Sequence, residues 1–153
     1  MTEDEDFIPA AVAAVVTGSL PVLTEAKEAN ELFSLLIHDI TLDCVKAGSW
    51  MIGHIKANVR SGNDLLSMSS TTDDGNVRSR CILTNMIKDY SMTVNVIVYG
   101  VERRNAAEIL VSNVKKALGN VRIEVHSEVG CEDPKCRDPM CRDMDHKRLI
   151  DIR

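Results

Sequence analysis

Aromatic side chains are scarce in this chain of 153 residues, which contains one Trp, two Tyr and two Phe. Proteins that bind single-stranded nucleic acid commonly stack bases on exposed aromatic rings. The formal net charge of -5 also disfavours a surface whose main activity is to neutralise phosphates. The composition therefore predicts no nucleic-acid partner, although a local basic patch is compatible with it.

A secretory signal is lacking as well. The N-terminus, MTEDEDF, is acidic where a signal peptide would be basic, and the apolar run after it is too short to span a bilayer. These features predict a cytoplasmic protein that does not enter a membrane. Thiols stay reduced in the cytoplasm, so the five cysteines do not predict a disulfide framework. Cys44 and Cys81 lie in apolar patterns and are expected in the core.

Known catalytic motifs are missing too: the chain has no P-loop, no G-x-G-x-x-G and no G-x-S-x-G. His54 and Lys56 are two residues apart in a predicted strand, so both would point to the same side. In this arrangement His54 could act as a general base and Lys56 could bind an anion, but no third catalytic residue is recognisable. An enzyme that uses His54 is therefore the third of three functional hypotheses, and the sequence favours a role other than catalysis.

The chain does contain regular apolar patterning, with a period typical of helices in some segments and of strands in others. Predicted helices cover residues 9–16, 24–48 and 102–118. Predicted strands cover residues 51–59, 65–72, 77–84, 91–99 and 121–129.

This order of elements predicts a two-layer α+β fold, in which a mainly antiparallel sheet of about five strands packs on two to three helices. Short turns join the first four strands, so we expect an antiparallel meander, with Val94, Val96 and Val98 facing the helices. The fifth strand is expected to run parallel to the fourth through a crossover. The predicted division of the chain is an N-terminal lead with a short helix (1–23), the α+β domain (24–129) and a Cys/His-rich C-terminal tail (130–153).

Period-two alternation directs a set of polar and basic side chains to the sheet face opposite the valines. Basic groups gathered on one face could hold a small ligand that carries phosphate or carboxylate. An ordinary solvated sheet face would show the same pattern. The candidate ligand-binding residues are His54, Lys56, Arg78 and Arg80. An anion-binding or regulatory α+β domain without metal is accordingly the second functional hypothesis.

The stretch CEDPKCRDPMCRDMDH places a thiol or an imidazole at every fifth position. Its two Asp-Pro pairs favour type I turns, which could bring Cys131, Cys136, Cys141 and His146 together. Three thiolates and one imidazole suit tetrahedral zinc and, less readily, an iron–sulfur cluster. Zinc motifs usually pair their cysteines more closely, so a reduced, charged tail is the alternative.

The first functional hypothesis is therefore a small accessory protein that binds a soft metal, zinc preferred, through this Cys/His cluster. Such a protein could serve metal handling, sensing or docking to a partner. The partner could be another protein or a second copy of this chain. An exposed sheet edge and a short apolar N-terminal helix predict a homodimer.

Overall fold

The computed structural model describes residues 8–82 and 85–126, so the predicted Cys-rich tail lies outside the described residues. Eight elements follow one another along this part of the chain. Their bounds are β1 Ala10–Thr24, α1 Ala26–Lys46, β2 Met51–Ser61, β3 Asp64–Ser70, β4 Arg78–Ile82, β5 Ile87–Tyr99, α2 Arg103–Leu118 and β6 Arg122–His126. The α+β class predicted from the sequence is confirmed.

One sheet contains all six described strands, in the order β4-β3-β2-β5-β1-β6. β2, β3 and β4 form the start of the predicted meander, but β5 returns to pair with β2 instead of β4. β1 lies between β5 and β6 and is antiparallel to both. The predicted parallel pairing of the last two strands is therefore wrong, because β1 occupies the position beside β5.

The N-terminal apolar segment forms β1, so the helix predicted over residues 9–16 is wrong. Ala10, Val12, Ala14 and Val16 are buried, and the residues between them are more accessible, which is the period of a strand. Alanine favours a helix in isolation. A segment between two strands, however, pairs its backbone polar groups on both sides and buries one row of side chains. The sheet consequently has six described strands where the sequence predicted about five.

Both described helices pack on the same face of the sheet and enclose the core there. The buried stripe of α1 includes Phe33, Leu36 and Ile37, which recur at helical spacing on one face of the helix. Val94 and Val96 in β5 are fully buried beneath the helices, as predicted, and so is Val98. The opposite face of the sheet carries neither α1 nor α2, and we call it the open face.

Two of the five cysteines lie in the described part of the chain, and they have different surroundings. Cys44 is fully buried in α1, as predicted. Burial, together with the nearby carboxylate of Asp43, raises the pKa of its thiol to about 11. Cys81 is exposed, so its predicted core position is wrong. It lies on β4 at the edge of the sheet, where all five residues of the strand are exposed.

Candidate functional site

The open face is formed by alternate residues of the strands, and β2 runs through its middle. His54, Lys56, Asn58 and Arg60 lie on the open side of β2, and the residues between them are buried. A register shift between Ile52 and His54 places His54 opposite a residue of β5 and preserves the alternation after it. The predicted assignment of polar side chains to this face therefore agrees with the strand register. Their role in binding a ligand stays a prediction.

Basic side chains gather on the half of the open face formed by β2, β3 and β4. Lys56 lies opposite Ser69 of β3, and Ser69 lies opposite Arg78 of β4. Adjacent strands are about 4.8 Å apart, so the Cα atoms of Lys56 and Arg78 are about 10 Å apart. Both side chains are long enough to reach a ligand that lies between them. The cationic patch, as we call this group, consists of Lys56, Arg60, Arg78 and Arg80.

The second row of the patch contains Arg80, Ser67 and Asn58 on three adjacent strands. The Ser67 hydroxyl donates a hydrogen bond to Oδ1 of Asn58 at 2.7 Å. This bond orients the amide beside the basic side chains. The row therefore provides the Arg80 guanidinium and the Asn58 side-chain NH2 as donors to anionic oxygen atoms, while the Ser67 hydroxyl, which donates its proton to Asn58, orients the amide.

No residue of the cationic patch forms an ion pair with the described part of the chain. The ion pairs found there join Arg104 to Glu108 and Arg122 to Glu124. The strands β2, β3 and β4 contribute no carboxylate to the open face, because the Asp64 side chain is buried on the other side of β3. Asp89 of β5 places one carboxylate near Arg60, because it lies on the same side of β5 as Ser91, the residue opposite Arg60. Lys56, Arg78 and Arg80 lie on strands farther from it and produce a local positive potential that attracts anions.

His54 is half-buried on the open face, opposite Ile97 and two residues before Lys56. None of the described residues forms a hydrogen bond with its ring. A general base needs such a partner to orient the imidazole. The structure thus brings His54 close to the cationic patch, but none of the described residues orients its imidazole as a catalytic role would require.

Trp50 and Tyr99 form an aromatic pair where β2 begins and β5 ends, at one end of the open face. The Trp50 backbone N–H donates to the Tyr99 carbonyl at 3.2 Å, and the ring centroids are 5.6 Å apart. Trp50 is 52% exposed. A Cβ added at Gly53 would lie 3.4 Å from Cε2 of Tyr99 and 2.9 Å from the Ile97 carbonyl oxygen, so glycine at this position permits the close approach of both groups.

The alternation of β5 is sufficient to place Tyr99 on the open face, but no sequence pattern predicted the contribution of Trp50. Tyr99 belongs to the alternating pattern of β5, whereas Trp50 precedes the first residue of β2 and has no periodic signal. A useful signal would have been the position of a lone Trp between Gly48 and Gly53, beside a predicted sheet end. Glycines near a bulky aromatic residue often mark a close approach of backbone or side chains.

A depression with a volume of about 590 Å³ lies away from the open face, between α1 and the turn that joins β3 to β4. His38 Nδ1 lies 2.7 Å from the Gly75 carbonyl oxygen, which fixes the turn against the helix. The Asp74 carboxylate accepts hydrogen bonds from the Thr72 hydroxyl and the Asn76 N–H, and these bonds lower its pKa. His38 and Asp74 are thus engaged in hydrogen bonds within the protein, and the lining of the depression contains no Lys or Arg.

The predicted metal ligands Cys131, Cys136, Cys141 and His146 lie outside the described residues. Within residues 8–82 and 85–126, no group of three or more His, Cys, Asp or Glu side chains is arranged to hold a metal ion. The predictions of zinc and of an iron–sulfur cluster therefore stay predictions.

Comparison of the chain with protein-family models, curated proteins and solved structures found no match. Within the described residues, neither helix has the length and apolar character needed to cross a membrane. The fold and the candidate site nevertheless define the structural class of this protein. It is an α+β protein whose helices cover one side of an antiparallel sheet and leave a cationic patch on the other.

Proposed function

We propose that this protein is a binding module whose open face holds a ligand with a phosphate or carboxylate group. The observation that supports the proposal is the cationic patch, whose four basic side chains have no ion-pair partner in the described part of the chain. Arg78 and Arg80 project from the same side of β4, and a guanidinium can form two parallel hydrogen bonds with the oxygen atoms of one anion.

The expected affinity depends strongly on ionic strength because the basic side chains are largely exposed. Lys56, Arg78 and Arg80 are all exposed residues. Charges at such positions interact through water, and salt screens them over about 8–10 Å. A ligand with several negative charges should therefore bind more tightly than one with a single charge.

The test is calorimetric titration of the full chain with inorganic pyrophosphate at low salt. We expect Arg78→Ala and Lys56→Ala to weaken binding by about tenfold each, which corresponds to about 1.4 kcal/mol. Lys116→Ala is the matched control, because Lys116 is exposed on α2 and therefore lies on the helix-covered side of the sheet. Equal affinities for the three variants and the wild type would contradict the proposal.

Binding of a soft metal is the second candidate function, and it is favoured by the spacing of Cys131, Cys136, Cys141 and His146 in the sequence. Zinc is the preferred ion and an iron–sulfur cluster the alternative. Metal content should be measured under reducing conditions, without a histidine tag, for the wild type, Cys136→Ser and Cys44→Ser. We expect only Cys136→Ser to lose metal. Equal content in all three proteins would exclude this site.

The proposal keeps a cytoplasmic location, and it retains the homodimer only as an alternative to a monomer, because the N-terminal helix that motivated the dimer is replaced by β1. Within the described residues, β4 and β6 are the edges of the sheet. Both are short, and β4 carries two arginines, a combination that protects an edge from pairing. Light scattering over a range of concentrations tests the dimer, and a monomer at high concentration would contradict it. An enzyme that uses His54 ranks below these functions.

A further inference from the structure

We propose that the open face binds single-stranded nucleic acid, with bases stacked at Trp50 and Tyr99 and phosphates held by the cationic patch. This inference rests on the proposed anion-binding function and names the class of its ligand. It departs from the expectation that the composition gave, because the position of the aromatic residues matters more than their number.

The aromatic pair and the cationic patch lie along the same strand. From Met51, beside the pair, to Lys56 is about 17 Å along β2, and Arg60 lies about 13 Å further. His54 occupies the interval on the same side of the strand. A phosphate alone would need only the patch. A ligand that also contacts the exposed ring of Trp50 must combine negative charge with a flat aromatic group over this distance.

Single-stranded nucleic acid has this combination, since its phosphates alternate with bases whose faces are exposed. Every base can stack on an aromatic side chain, and basic groups beside the ring hold the backbone. The hydroxyls of Ser67 and Ser69 and the amides of Asn58 and Asn95 lie on the same face and can bind base edges or phosphate oxygens. An acidic peptide would use the basic side chains but would make no use of the ring of Trp50.

The charges near the ligand matter more for its binding than the net charge of the whole chain. The described residues contain equal numbers of acidic and basic side chains. Because screening limits the range of electrostatic forces, the charges within about 10 Å of the ligand dominate its binding. On β2, β3 and β4 the open face carries only basic charges, and Asp89 of β5 adds one carboxylate beside Arg60.

The chain has one Trp, so intrinsic fluorescence reports directly on the aromatic pair. The experiment titrates the full chain with oligo(U) and oligo(dT) at low salt and repeats the titration at increasing salt. We expect saturable quenching of Trp50. We also expect Lys56→Ala and Arg78→Ala to weaken binding by about tenfold each and to reduce the slope of log K against log salt by about one.

The contribution of stacking is tested separately with Tyr99. Tyr99→Leu should weaken oligonucleotide binding by about tenfold with an unchanged salt slope, whereas Tyr99→Phe keeps the aromatic ring and should bind like the wild type. Fluorescence anisotropy of a labelled oligonucleotide allows the same comparison for Trp50→Phe and Trp50→Leu. Lys116→Ala, on the helix side, should leave binding unchanged.

Four results would overturn the inference. Polyglutamate that quenches Trp50 equally and displaces the oligonucleotide would favour an acidic peptide. Equal binding of duplex and single-stranded DNA without quenching would indicate general electrostatic attraction. Retained pyrophosphate binding without oligonucleotide binding would leave the proposed function standing and remove only this extension. Loss of binding to both probes would overturn both.

Discussion

Alternate residues of β5 lie in two different environments. Val94 and Val96 are fully buried under the helices, whereas Thr93 and Asn95 lie on the open face and are more accessible. The same alternation in β2 separates the buried Ile55 from the exposed Lys56. Folding stability and ligand binding therefore depend on neighbouring positions of the same strands. Substitutions should be able to change one property without the other.

The largest expected effect is on the buried side. Phe33 is fully buried in α1, and its ring contacts that of Tyr90 edge to face, with centroids 5.2 Å apart. Phe33→Ala removes this packing and leaves a cavity, so we expect the free energy of unfolding in urea to fall by about 3–5 kcal/mol. Leu35→Ala is the control on the same helix. Leu35 is 56% exposed, and its loss should change stability by about 0.5 kcal/mol or less.

Similar losses for the two variants would mean that α1 does not pack on the sheet through the face that contains Phe33. A fall in urea m-value for Phe33→Ala would indicate instead that the denatured or native state has changed in compactness. The comparison of midpoints is meaningful only where the m-values agree.

The sequence predicted the two faces well where one period dominates. In β2 and β5 the alternation of apolar and polar residues predicted both the buried valines and the open-face position of Lys56. It failed over residues 9–16, where alanines fit a helix as readily as a strand and only the partners of β1 decide between them. The strand order could not be derived for the same reason, since the pairing of β5 with β1 and β2 depends on distant segments.

Only part of the candidate site could be predicted, because a sequence pattern reports local spacing and not contacts between distant segments. Arg78 and Arg80 follow from their spacing in one strand, whereas the contact of Trp50 with Tyr99 joins two sheet ends that are far apart in the sequence. No local pattern reports such a contact. The close approach permitted by Gly53 is likewise visible only when the neighbouring strand is in place.

A second expected loss of stability concerns the turn that α1 holds against the sheet. Gly75 has a φ of 74°, and a Cβ there would lie 2.6 Å from Nδ1 of His38. Gly75→Ala therefore combines backbone strain with a steric clash, and we expect a loss of about 2–3 kcal/mol. Gly62 has a φ of 60° with nothing within 4 Å of an added Cβ, so Gly62→Ala should cost only about 1 kcal/mol.

The difference between the two glycine variants reports on the contacts of an added Cβ at position 75, of which those with His38 are the shortest and that with Leu42 is 3.2 Å. If His38→Ala in the Gly75→Ala background does not restore part of the loss, the clash with the imidazole is not its cause. Thermal or urea unfolding is measured for the wild type, Gly75→Ala, His38→Ala and the double variant, which together form the double-mutant cycle.

The pH dependence of stability should contain a contribution from the buried Cys44. Burial raises the pKa of Cys44 from an ordinary value of 9.0 to about 11, so the unfolded chain loses this proton first as pH rises. The contribution is complete below about pH 9 and is lost as pH rises through about 11. Cys44→Ala should therefore flatten the alkaline slope of the unfolding free energy relative to the wild type. Identical slopes in the variant and the wild type would contradict the assignment.

The smallest expected effect on stability lies on the open face. Lys56 is exposed and has no carboxylate partner in the described residues, so Lys56→Ala should change the unfolding free energy by about 0.5 kcal/mol or less. Removing one positive charge from the cationic patch could even stabilise the fold slightly, because it reduces repulsion from Arg78 and Arg80. The adjacent Ile55 is fully buried, and Ile55→Ala should cost about 2–5 kcal/mol.

The measurement pairs urea unfolding with pyrophosphate titration for both variants. We expect Lys56→Ala to lose affinity at constant stability and Ile55→Ala to lose stability with unchanged affinity under folded conditions. A large loss of stability for Lys56→Ala would mean that this side chain supports the fold. Binding and stability would then not depend on separate sides of β2 at this position.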